Sequence, residues 1–130
     1  MKIRRSRSNK NKNLLENQLG KSEQFQELKK KLKKEWLYLT NEMRSDHVPI
    51  FYHWIARKLE IIDETMRLMD ERPVMSINEL ASQLDNEIVN QDRKLNRAKG
   101  FEEMEAICNN LSALEWTRNL VRTIDLKYRL

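Results

Sequence analysis

Apolar residues recur along this chain at intervals of three and four, the spacing of one face of a helix. The first such run is Phe25, Leu28, Leu32, Trp36, Leu39 and Met43, which predicts a helix from about Ser22 to Arg44. Ser22 suits an N-cap with Gly20 just before it, and Leu14, Leu15 and Leu19 make a weaker helical turn upstream. Pro49 marks the break, because proline is tolerated in a first helical turn and not in an interior. A second helix is therefore expected from Asp46 or Val48 to near Arg72 and Pro73, carrying Ile50, Phe51, Trp54, Ile55, Leu59, Ile62, Met66 and Met69.

The third helix has the clearest start. Ser76 and Glu79 stand at the capping-box spacing, in which side chains satisfy backbone N–H groups left over at a helix N-terminus. Ile77, Ala81, Leu84, Ile88, Gln91, Leu95 and Ala98 then alternate by four and three, a knobs-into-holes seam with one polar member. Gly100 is the expected stop. A fourth helix follows from Phe101 to Asp125 or beyond, with Met104, Ile107, Cys108, Leu111, Leu114, Val121 and Ile124 on one broad face. Trp116 and Leu120 fall off that face. The second half of this helix is either surrounded within the fold or meets another copy of the chain, which makes Trp116, Leu120 and Ile124 the candidate protein interface.

Four long helices with short connections predict an all-α fold, an antiparallel four-helix bundle. Composition agrees, since 2 Gly and 2 Pro in 130 residues are too few for the turns of a sheet-rich fold. No window of 18 apolar residues exists to span a membrane, and no apolar stretch follows the basic start as a secretory signal requires. The amphipathic face of a mitochondrial transit peptide is also missing. The single cysteine, Cys108, forms no internal disulfide, so a reducing, cytoplasmic setting is the simple expectation.

Charge changes the picture most. The net charge is +5, but residues 1–34 hold 12 Lys or Arg against 3 Glu, while residues 35–71 are net acidic and residues 72–130 balance. Residues 1–13 contain Lys2, Arg4, Arg5, Arg7, Lys10 and Lys12 with no acid and little that is apolar, a composition that does not repay the entropy of ordering. The expected organisation is a flexible basic arm, residues 1–21, followed by the bundle, residues 22–130. Within the first helix, Lys30, Lys33 and Lys34 point away from the apolar stripe and form a basic ridge facing water.

Reactive chemistry is sparse. A di-iron bundle needs Glu-x-x-His on two helices, and neither His47 nor His53 has a glutamate three residues before it. Glu60, Asp63 and Glu64, and Glu102, Glu103 and Glu105, form helical acidic clusters. The pairs Glu60–Asp63 and Glu102–Glu105 match the magnesium spacing of all-helical nucleotide pyrophosphatases only in reversed order along the chain, and solvated faces are the reading taken for them. An enzyme would require the two clusters to face each other in a cleft between the second and fourth helices. Cys108 lies on an apolar stripe, as a buried structural thiol does. Two glycines leave no phosphate loop. Trp36, Phe51 and Trp54 stand at core spacing, and only Tyr52 is displaced toward the surface.

Two functions of different class remain. The first is a non-enzymatic protein without a cofactor that associates with nucleic acid. Arg4, Arg5, Arg7, Lys10, Lys12, Lys30, Lys33 and Lys34 would act as phosphate-contacting cations and not as base readers. The same cations suit an acidic protein surface. The second is an oligomeric adaptor, assembly factor or inhibitor that works through protein contacts alone.

Overall fold

The structure is a computed structural model that describes the backbone of residues 2–44, 51–72 and 75–129 and the side chains of these residues from Glu23 onward. It consists of four helices, α1 (Lys2–Met43), α2 (Tyr52–Glu71), α3 (Ile77–Arg97) and α4 (Phe101–Arg129), with no strand among the described residues. The fold is an all-α, antiparallel bundle.

Helix α1 begins earlier than its apolar stripe. The backbone stays helical through Gly20 and Ser22 back to Lys2, so Ser22 is not a cap and the division expected at residues 21/22 falls inside the helix. No proline interrupts this stretch, and one interior glycine costs about 1 kcal/mol, too little to end a helix that is already propagating. At the ends of α1 and α2 and at the start of α3 the match is close. The side chain of Ser76 accepts a hydrogen bond from the backbone N–H of Glu79 at 3.1 Å, fixing the start of α3. Helix α3 closes on Ala98 in an extended conformation (φ −64°, ψ 138°), and Gly100 does not adopt the left-handed geometry of a glycine cap. Asp46, His47, Val48, Pro49, Ile50 and Pro73 lie outside the described residues, and with them the expected start of α2 at Asp46 or Val48.

The predicted stripes of α1 and α3 form the core. Leu28, Leu32 and Leu39 of α1, Ile55, Ile62 and Met69 of α2, Ile77, Ala81, Leu84 and Ile88 of α3, and Leu114, Val121 and Ile124 of α4 form one buried cluster. Helix α4 is the hub and packs on each of the other three helices. This explains its apolar residues on more than one stripe. They are surrounded within the fold. Ile124, expected at an interface, is 1% exposed and belongs to the core. Trp116 and Leu120 are half-buried and pack against that core.

Three further expectations fail at the ends of helices. Phe51 is 60% exposed, because α2 begins only at Tyr52 and leaves Phe51 at the cap. Met104 and Cys108 are exposed as well. Trp54 in the first turn of α2 bonds Ser112 of α4, and the turns of α4 before Ser112 face α2 only across an open cleft lined by His53, Ala56, Glu102 and Ala106 among others. On those turns Ile107 is buried while Met104 and Cys108 on the neighbouring face meet water.

The bundle is open on one side. No Cα of α2 comes within 8 Å of a Cα of α3, although the two helices are consecutive. Both lean on α4, and between them runs a groove of about 430 Å³ with Ile61, Leu68, Leu80, Leu84 and Leu114 among its lining.

Candidate nucleic-acid interface

The periodicity of α1 sets the site. At about 100° per residue, Leu28, Leu32 and Leu39 share the inward face. Lys30, Lys33, Lys34, Leu37, Tyr38 and Asn41 share the opposite one, and all six are exposed. The lysines of this helix divide into two groups. Lys29 is bonded to Asp70 of α2, and Lys31 lies 4.0 Å from Glu27. Lys30, Lys33 and Lys34 make no ion pair among the described residues. The three cations expected to form a ridge are thus exposed and unpaired among the described residues, whereas Lys29 is tied to α2 and Lys31 sits beside Glu27 of its own helix.

Glu27 marks where the bundle ends along α1. It accepts a 2.6 Å hydrogen bond from Lys127 of α4, which holds its carboxyl below the usual carboxylate range and raises the ammonium above its ordinary value. Helix α2 ends beside Lys29, through Asp70. Arg4, Arg5, Arg7, Lys10 and Lys12 therefore precede this level along α1, whereas Lys30, Lys33 and Lys34 lie within the length that α2 and α4 cover. Arg4, Arg5, Arg7, Lys10 and Lys12 belong to the same helix as the ridge, and their side chains lie outside the described residues.

The acidic clusters meet in part. Glu60 of α2 and Glu102 and Glu105 of α4 line one cleft together with His53 and Arg57. Arg57 takes up Glu60 at 2.8 Å, and Glu64 pairs with Arg67 at 3.6 Å. Among the described residues no group of three His, Cys, Asp or Glu side chains is placed to hold a metal ion. His53 and Cys108 are exposed and His47 lies outside the described residues.

The most unusual polar residue is one that periodicity alone passes over. Lys58 is 5% exposed in the middle of α2. Its Nζ is 3.0 Å from Glu35 of α1, 4.1 Å from the ring centre of Trp116 and 5.1 Å from that of Trp54. Position 58 lies on the stripe of Ile55 and Ile62, and so does Thr65, whose hydroxyl bonds the carbonyl of Ile61. The signal was the stripe itself, continued through polar letters. Leu37 and Tyr38 are also legible in this way, since they extend the face of Lys30 and Lys34 by one turn.

Comparison with protein families, curated proteins and solved structures finds no match.

Proposed function

We propose that this chain is a non-enzymatic nucleic-acid-binding protein that holds phosphates with the outer face of α1. The observation that carries the reading is the division among the α1 lysines, with Lys30, Lys33 and Lys34 exposed and without an ion pair among the described residues. Arg4, Arg5, Arg7, Lys10 and Lys12 extend the same helix and supply the remaining charge. Such contacts bind without reading sequence, and each phosphate neutralised releases counterions. The setting proposed is cytoplasmic, where a lone exposed thiol stays reduced. Among the described residues no helix is long and apolar enough to cross a membrane.

The test is binding of a generic duplex and a single strand across salt, before and after two changes. One removes residues 1–13, and the other replaces Lys30, Lys33 and Lys34 by Gln. Each change is expected to weaken binding at low salt. The lysine change should reduce the slope of log affinity against log salt by roughly 2 to 3. Binding that is absent at low salt, or untouched by both changes, overturns the proposal. Transfer of the full salt-dependent affinity to polyglutamate, with none for nucleic acid, replaces it with an acidic protein surface.

The α2–α3 groove favours a second reading, a helical adaptor. It is open to solvent with a mixed polar and apolar lining, and Asn110 Oδ1 within it is buried without a hydrogen-bond partner among the described residues. Half-buried Trp116 and Leu120 add little free surface. Light scattering reads the self-associating form of this idea. A mass of twice 15.7 kDa supports it, and a strict monomer at high concentration removes it.

A further inference from the structure

Resting on the nucleic-acid reading, the geometry of α1 allows one further step. We infer that Tyr38 is a stacking platform for an unpaired base, which makes single-stranded nucleic acid the preferred substrate over duplex. Three observations lead there. Tyr38 is 58% exposed on the face that carries Lys30 and Lys34, and it stands one helical turn beyond Lys34. Its ring makes no aromatic or cation–π contact among the described residues, whereas Tyr52 stands edge-on to His53 and Tyr128 takes Lys127. Leu37, beside it, is 57% exposed on the same face, so the end of the ridge is apolar where its start is cationic.

A duplex does not use such a surface well. Its bases are stacked on one another and present phosphates outward, so the lysines would be engaged while Tyr38 and Leu37 stayed in water. A single strand exposes base faces next to its phosphates. A cationic track with an aromatic ring at its end then meets both at once, and stacking on the ring is tolerant of sequence because every base has a π-face. Tyr38 contributes the ring, Leu37 an apolar shoulder, and Lys30, Lys33 and Lys34 the phosphate contacts that set the register of the strand along α1.

The experiment measures fluorescence anisotropy of a labelled oligothymidine and of a labelled duplex of equal length, with the full chain and its variants. The unmodified chain should bind the single strand more tightly. Tyr38→Ala should weaken single-strand binding about tenfold, leave duplex binding unchanged and leave the salt slope unchanged, because no charge is lost. Tyr38→Phe keeps the ring and should bind as the parent does. Circular dichroism reports that the exposed substitution leaves the helices intact. Equal affinity for single strand and duplex, or equal loss on both with Tyr38→Ala, overturns the inference while the cation-dependent reading stands. A mass that falls from dimer to monomer with Tyr38→Ala also overturns it and assigns the patch to a second copy. No binding of either probe at low salt removes the inference and the nucleic-acid reading together.

Discussion

Replacing Lys58 by alanine is expected to destabilise the bundle by about 3 kcal/mol, seen as a fall of roughly 10 °C in the thermal midpoint. Its side chain is 6% exposed and joins three helices at one point, with Glu35 on α1, Trp54 beside it on α2 and Trp116 on α4. Truncation removes an ion pair and the cation–ring attractions, and it opens a space between two indoles. It also leaves Glu35 facing that space without a counter-charge. Glu35 is 25% exposed, so water reaches it and the penalty stays at the low end of the range for breaking a buried pair. The double variant Lys58→Met with Glu35→Gln should recover most of the loss, because the methionine stem refills the space and no charge is stranded. A midpoint unchanged by Lys58→Ala would mean that the pair behaves as a surface salt bridge and that the two indoles close the gap unaided.

Lys58 also shows which part of the molecule was legible in the amino-acid order. The stripes of α1 and α3 transferred directly to the structure, since each of these helices presents one face to the interior. Ser76 set the start of α3 for the same local reason, a side chain satisfying a backbone N–H within one turn. What did not transfer depends on how far neighbouring helices overlap, which no periodicity encodes. Phe51 is apolar and in register, yet α2 starts one residue after it. Met104 and Cys108 are in register on α4, yet its first turns leave them exposed. Ile124 was ambiguous because a helix surrounded on three sides and a helix at a dimer interface have the same sequence pattern. Lys58 and Thr65 were hidden for the opposite reason. They occupy core positions with polar atoms that are satisfied only through Glu35 and the indoles for Lys58, or by the helix's own backbone for Thr65.

The candidate site follows the same division. The ridge of Lys30, Lys33 and Lys34 could be read from angles alone. That Lys29 and Lys31 are occupied by Asp70 and Glu27 could not, because Asp70 is distant in the chain and Glu27 is itself shared with Lys127. The apolar end of the ridge was readable from the angles that placed the lysines, and it gains meaning only once Tyr38 is seen exposed and without an aromatic or cation–π contact among the described residues.

Leu32→Ala separates the folding of the bundle from the recognition proposed for it. Leu32 is 0% exposed and belongs to the buried core cluster, so its truncation leaves a cavity where α1 meets its neighbours. A cost of about 3 kcal/mol is expected, again roughly 10 °C in the midpoint of a thermal melt. The cations lie on the opposite face of the same helix, and contacts to phosphates ask only that the helix present them in order. Well below the melting transition, affinity for the single strand and its salt slope should therefore match those of the parent chain. Should binding fall in step with stability, the phosphates must be reading a surface that α1 shares with α2 or α4, and the ridge would no longer be a self-contained site. The contrast with replacing Lys30, Lys33 and Lys34 by Gln is what gives the pair its force, since those exposed changes should lower affinity and leave the melt in place. Opposite effects from two faces of one helix would tie the core to stability and the ridge to binding.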